Sequence, residues 1–188
     1  MATHQVTGIV LAGGKSSRMQ TDKGFVSYKG KLLVEHALDH LLPVCNEILI
    51  SANRNEYTQF GYPVVKDLIY DLGPLGGIYS AVQCSSNDLN LILACDVLGF
   101  NPSILTEMIN TSTGKKMVYL EDSRKGIEPL PLLLNKNILP EIEIQINNGD
   151  FKLQNFIFKI LNNNSSFTGC IQIKEQLLNL NTMEDLKL

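Results

Sequence analysis

The amino-acid sequence predicts an α/β fold: a doubly wound, mostly parallel sheet with helices on both faces. Three observations lead there. Runs such as "LNLILACD" (Leu89 to Asp96) are apolar on both sides, as interior strands of a covered parallel sheet are. These runs alternate with amphipathic stretches through the first 110 residues, the rhythm of successive β-α units. Four unusual polar or glycine-rich segments also lie where the strands of such a sheet would end, and open parallel sheets place their ligands beyond those ends.

The elements follow in order. Val6, Ile9, Val10 and Leu11 read as the first strand, which breaks into a loop at Gly13, Gly14, Ser16 and Ser17. In "LLVEHALDHLL" (Leu32 to Leu42), Leu33, Ala37, Leu38 and Leu41 form one helical stripe, and Pro43 ends it. Further strands are expected at "EILISA" (Glu47 to Ala52), "YPVVKD" (Tyr62 to Asp67) and Leu89 to Asp96. A helix is expected over "GGIYSAVQC" (Gly76 to Cys84), and another over "NPSILTEMI" (Asn101 to Ile109), which has a capping Asn and Pro in its first turn. Beyond residue 110 the pattern loosens. "KMVYL" and "PLPLLL" read as strands, "FKLQNFIFKIL" (Phe151 to Leu161) as an amphipathic helix, "LNNNSSFTG" (Leu161 to Gly169) as a surface loop and "TMEDLKL" as a short terminal helix. No internal repeat or linker divides the chain, so residues 1–188 are expected to form one domain.

Composition narrows the partners. With 44% hydrophobic and 19% charged residues among 188, the chain has ordinary globular composition. A net charge of -3 supplies no general attraction to nucleic acid, so any phosphate ligand must be held locally. The start "MATHQVTG" lacks the basic and apolar regions of a signal peptide, and no window reaches the roughly 20 apolar residues of a membrane span. A cytoplasmic location without membrane contact is expected. Cys45, Cys84, Cys95 and Cys170 form no Cys-x-x-Cys pair, which argues against a zinc or redox motif. His36 and His40 share a helical face, but no acidic or cysteine partner completes a metal set. Nothing resembles a nucleophile elbow.

The candidate chemistry lies at the strand ends. "LAGGKSSRMQTDK" combines glycines, which let backbone N-H groups approach anionic oxygens, with Lys15, Arg18 and Lys23. It fits neither the P-loop nor the Gly-x-Gly-x-x-Gly spacing. The residues alone leave open a phosphate loop or a glycine turn with solvated cations. In "DLIYDLGPLGGIYSA", Asp67 ends a strand and Gly73, Pro74, Leu75 and Gly76 form a turn that would set backbone against a flat ring or simply connect strand to helix. Asp96 emerges from an apolar strand, where a carboxylate suits Mg2+ or a turn. Asn179 and Asn181 in "NLNTMEDL" are hydrogen-bonding side chains or helix caps.

The opening motif resembles Leu-Ala-Gly-Gly-x-Ser-x-Arg-Met-Gly-x-Asp-Lys, the signature of Rossmann-like nucleotidyltransferases and, more narrowly, of molybdenum cofactor guanylyltransferases. The resemblance continues through "SANR", "VVKDLIYDLGPLGGI" and "ACDVLGF" to "NLNTMEDL", spanning the chain. It implies transfer of GMP from GTP to molybdopterin or its molybdenum-bearing form, with pyrophosphate released and Mg2+ as cofactor. It also implies a nucleotide half over about residues 1–110 and a pterin-acceptor half over about 111–188. Carried over residue by residue, Leu11, Ala12, Gly13 and Gly14 approach the nucleotide through their backbone, and Arg18 and Lys23 neutralise the triphosphate as catalytic cations. Ser51, Asp67 and the Gly73–Pro74–Leu75–Gly76 turn lie toward the nucleotide, and Asp96 is both metal ligand and catalytic group. Asn179 and Asn181 line the pterin side. Proteins that supply molybdopterin and recipient molybdoenzymes are implied as transient partners.

Three positions depart from the pattern. Gln20 replaces a Gly, Ser51 stands where relatives commonly carry Asn, and "CDVLGF" lacks the Pro of Cys-Asp-x-Pro-Phe. Alternatives with the same signature are a CTP-dependent molybdopterin cytidylyltransferase and a sugar- or alditol-phosphate nucleotidyltransferase. A noncatalytic nucleotide-binding regulator is the alternative of another class.

Overall fold

In the computed structural model, the described residues are 5–13, 22–173 and 177–179. The chain enters through β1 (Val6–Leu11), and after residue 22 makes a small hairpin, β2 (Ser27–Tyr28) with β3 (Lys31–Leu32), that leads into α1 (Leu33–Leu41). Next come β4 (Glu47–Ser51), β5 (Val64–Val65), α2 (Gly73–Cys84), β6 (Leu89–Ala94), β7 (Val97–Leu98) and α3 (Ser103–Thr111). The second half contributes β8 (Met117–Asp122), β9 (Gly126–Asn135), α4 (Leu139–Asn147), α5 (Leu153–Asn164), β10 (Thr168–Ile173) and β11 (Leu178–Asn179).

Seven strands form one sheet in the order β10-β8-β9-β6-β1-β4-β5. β1 pairs in parallel with β4 and β6, β4 with β5, and β8 with β10, while β9 runs antiparallel to both β6 and β8. The doubly wound, mostly parallel prediction therefore holds, with one reversed strand inside it. Because β9 reverses twice against its neighbours, β8 and β10 point the same way as β1, β4 and β6. The carboxyl ends of six strands thus share one edge.

Alternation along the strands divides the core. Val6 and Val10 of β1 face a layer built with α1 and α3, while Ile9 and Leu11 face a layer built with α2, α4 and α5. The expected stripe of α1 is buried at Leu33, Ala37, Leu38 and Leu41. Its first turn is held by Glu35, whose Oε2 accepts from the Leu32 amide at 2.7 Å. Among the described residues no helix is long and apolar enough to cross a membrane.

Several expected boundaries are corrected. α2 begins at Gly73, three residues before the expected start. Pro74 is compatible with a first helical turn, where its missing N-H has no intrahelical partner to lose, so the Gly-Pro-Leu-Gly-Gly segment is the start of the helix and not a turn before it. The third strand is only Val64–Val65, because it lies at the sheet edge and pairs on one side. The expected loop at 161–169 is instead the end of α5, a 3-10 turn at Ser165–Phe167 and the start of β10. α4, β10 and the β7–β11 pair were not expected. The proposed terminal helix lies outside the described residues.

Candidate active site

The site begins where the parallel ladder runs out. The Ala12 amide donates to the Ser51 carbonyl at 3.1 Å, and the Cys95 amide donates to the Leu11 carbonyl at 3.1 Å. These two bonds carry the register of β4, β1 and β6 one residue past the strands. They line up Gly13, Asn53 and Asp96 at a common edge. Leu11 and Ala12 are buried and Gly13 is exposed, so only their backbone is available to a ligand at this edge.

Asp96 follows β6 by two residues and receives a hydrogen bond and ion pair from the Lys23 ammonium. The two side chains retain 20% and 19% of their surface, a partly buried pair open to solvent on one side. Lys23 begins a 3-10 turn, Lys23–Phe25, whose preceding residue, Asp22, accepts from the Gly24 amide at 3.2 Å. Asp22 also takes a hydrogen bond from the Tyr57 hydroxyl and has Arg54 Nη1 3.8 Å from its Oδ2. Burial and the adjoining Asp22 carboxylate push the Tyr57 phenol far above its ordinary range, so it remains a proton donor. Cys95, fully buried beside Asp96, is likewise pushed upward by burial and stays a thiol.

The second wall is the amino end of α2. Asp67 and Asn53 hold each other: the Asn53 Nδ2 donates to Asp67 Oδ2 at 2.8 Å, and the Asp67 amide donates to Asn53 Oδ1 at 2.9 Å. A Cβ on Gly77 would sit 2.7 Å from Ser51 Oγ and 3.5 Å from Asp67 Oδ1, so the helix reaches the strand end only because this residue is glycine. Gly73, in the left-handed region at φ +59°, and Pro74 are exposed. Leu75 and Gly76 are buried, and the Leu75 side chain belongs to the core. The amino end of this helix, with its positive dipole, suits an anion or a polar ring edge.

The structure thus gathers Leu11, Ala12, Gly13, Lys23, Ser51, Asp67, Gly73, Pro74, Leu75, Gly76 and Asp96 along one edge of the sheet. Ser51 is buried beneath that edge, against Gly77. β11 pairs Asn179 with Val97, which places its backbone beside the residue after Asp96. Gly14, Arg18 and Asn181 lie outside the described residues. Asp22, Asn53, Arg54 and Tyr57 join this edge in addition to the residues expected from the sequence, and "TDK" and "SANR" contain three of them. A polar depression lined by Ser86, Asn87, Ser112 and Asn135 sits at the opposite edge, among the amino ends of strands, away from the Lys23–Asp96 pair.

A family model described as the MobA-like NTP transferase domain matches residues 8–163. The chain belongs to this family. Among its relatives is a probable molybdenum cofactor guanylyltransferase of Flavobacterium johnsoniae, 36% identical over 155 residues that make up 82% of each chain. A molybdenum cofactor guanylyltransferase of Photobacterium profundum is 33% identical over 99% of this chain and 96% of its own. Solved structures with the fold include molybdopterin-guanine dinucleotide biosynthesis protein A of Archaeoglobus fulgidus, at TM-score 0.77 and 19% identity over 96% and 95% of the two chains. Another is Rv0371c of Mycobacterium tuberculosis in complex with manganese, at TM-score 0.72 and 15% identity over 97% and 96%. The MobA-like family model ends at residue 163, so β10 and β11 complete the sheet edge and the Asp96 surroundings beyond the matched span.

Proposed function

We propose that this protein transfers GMP from GTP to the terminal phosphate of molybdopterin or Mo-molybdopterin, releasing pyrophosphate and forming the guanine dinucleotide cofactor. The observation that carries the reading is the Lys23–Asp96 pair at the carboxyl edge of the sheet, beside the end of β1, in a chain whose relatives bear the guanylyltransferase name. An oxygen of the molybdopterin phosphate forms a bond to the α-phosphorus as the bond from that phosphorus to the β-phosphate oxygen breaks, and pyrophosphate leaves. No protein nucleophile is required. The work left to the chain is positioning and charge neutralisation.

In this reading Lys23 and Arg18 balance the triphosphate, and the backbone of Leu11, Ala12, Gly13 and Gly14 approaches it. Asp67 and the start of α2 at Gly73–Gly76 lie toward the nucleotide with Ser51 buried beneath them, and Asn179 and Asn181 lie toward the pterin. Among the described residues no group of three His, Cys, Asp or Glu side chains could enclose a metal. Asp96 offers a carboxylate to the edge, a donor that fits Mg2+ shared between protein, substrate phosphates and water. When bound, Mg2+ supplies charge stabilisation at the phosphate oxygens. Residues 1–188 act as one transferase domain, with a nucleotide half to about residue 110 and an acceptor half after it, in the cytoplasm. Transient contacts with molybdopterin-supplying proteins and recipient molybdoenzymes accompany this role.

The test is thermal stabilisation by GTP, CTP, ATP and UTP, each with and without Mg2+, followed by pyrophosphate release with molybdopterin. Saturation at about 100 times the dissociation constant contributes roughly 2.7 kcal/mol, several degrees of melting temperature. A Mg2+-dependent shift and turnover with GTP alone is the expected result. A preference for CTP reassigns the base, and stabilisation without turnover reassigns the chain to a nucleotide-binding regulator.

A further inference from the structure

Two residues that flank the glycine-rich segment, Ala12 and Asp22, are both held to one buried hydroxyl. Tyr57 has no exposed surface and lies on the 3-10 turn Asn55–Phe60 that follows β4. Its hydroxyl is 2.8 Å from the Ala12 carbonyl oxygen and also bonds Asp22 Oδ1. Both partners accept and neither donates, so the one phenolic proton is divided between them and the phenol must stay protonated. The ring serves the same purpose as the hydroxyl. A Cβ on Gly24 would meet the Tyr57 oxygen at 2.3 Å and its ring at 2.9 Å, so the Lys23–Phe25 turn lies directly on Tyr57, and Phe25 stacks on it at 4.6 Å between centroids.

Packing alone does not call for this arrangement. A phenylalanine would fill the same space, and Asp22 is a carboxylate with only 9% of its side chain exposed, an ion whose burial is unfavourable unless it is well bonded. What the arrangement does is place the next residue. From Tyr57 the connections run to Asp22, through the backbone to Lys23, and from Lys23 to Asp96. We infer that Tyr57 is a positioning residue for nucleotidyl transfer: its hydroxyl fixes Asp22, and through it the Lys23 ammonium, relative to the end of β1 and to Asp96. The kinetic part of this inference rests on the proposed guanylyl transfer, whereas the tether itself does not.

The test is Tyr57→Phe, with Asp22→Ala as the second variant. Without any substrate, hydrogen exchange of the Gly24 and Phe25 amides should quicken about tenfold in Tyr57→Phe, while amides of β1 and β4 keep their rates. In GMP transfer measured well below the melting temperature, kcat should fall about tenfold with the KM for GTP changed less than about twofold. Asp22→Ala should lose at least as much, and the double variant should be no slower than Asp22→Ala, because both act through one connection. Unchanged amide exchange overturns the tether. Faster exchange with wild-type kcat, or losses that add in the double variant, overturns the positioning role. A wild-type protein that does not transfer GMP at all defeats the proposed function instead, and the exchange result still decides the tether. If Tyr57→Phe fails to fold, Asp22→Ala carries the kinetic readout and the Phe25 amide alone carries the exchange readout, because Gly24 loses its own acceptor in that variant.

Discussion

Lys23 and Asp96, 73 positions apart in sequence, form an ion pair at the edge where β1 and β6 end. Neither side chain is part of the core, so the pair's energy goes into where two charges stand more than into holding the fold. Partly exposed pairs of this kind contribute little net stability.

Asp96→Ala is therefore expected to separate activity from folding. Loss of the carboxylate that fits the metal should reduce GMP transfer on the order of 100-fold or more, several kcal/mol in the barrier, with little change in the melting curve. Pyrophosphate release titrated against Mg2+ checks this, and wild-type turnover in the variant would remove Asp96 from the metal site.

For Lys23→Ala the expected defect is in triphosphate use. kcat/KM for GTP should drop roughly tenfold or more, a loss of at least ~1.4 kcal/mol of transition-state stabilisation. Steady-state kinetics over a range of GTP concentrations would show it. Unchanged kinetics would assign the Lys23–Asp96 pair to structure alone.

Gly24→Ala tests how closely the turn lies on Tyr57. The added methyl would meet a fully buried ring and its hydroxyl, with no flexible end to give way. Overpacking of this sort costs about 1–3 kcal/mol, and urea denaturation should report it as a lower midpoint with an unchanged slope. A wild-type midpoint would place the turn farther from the ring.

His40 makes stability depend on pH near neutrality. Burial, then the neighbouring His36, hold its pKa below the ordinary 6.5, and its ring packs 4.8 Å from that of Phe100. The unfolded chain therefore takes up a proton first as pH falls below 6.5, and stability declines until the folded His40 titrates as well. Above 6.5 both states are neutral at this position and the contribution is flat. Melting temperatures measured from pH 7.5 to 5 should fall on the acid side, and His40→Gln should flatten the part of the curve just below 6.5. An identical slope in the variant would assign the acid sensitivity elsewhere.

The elements legible in the sequence were those whose own pattern decides them. β1, β4 and β6 are apolar on both faces and α1 carries a full buried stripe, so each could be read without knowing its neighbours. β10 reads poorly because, at the sheet edge, it alternates buried Gly169, Ile171 and Ile173 with exposed Cys170 and Gln172 after a polar run. α4 escaped because "LPEIEIQIN" alternates like a strand, yet Ile142 and Ile146 face the core while Ile144 lies on the surface. In the site, Lys23 and Asp96 were legible as a strand-end carboxylate and a cation in a glycine-rich motif. Tyr57 was not, because an aromatic in "NEYTQF" carries no sign of acceptors 35 and 45 positions away.

By itself the sequence determined the kind of fold, the edge on which a ligand would sit and the residue types offered there. These depend on local periodicity and on chemistry written in single side chains. Only the tertiary structure decided that β9 runs antiparallel between β6 and β8, that α2 starts at Gly73, and that Tyr57 joins Ala12 to Asp22. Those outcomes depend on which distant surfaces bury one another and on which buried donor finds which acceptor, quantities that exist only once the chain has closed on itself.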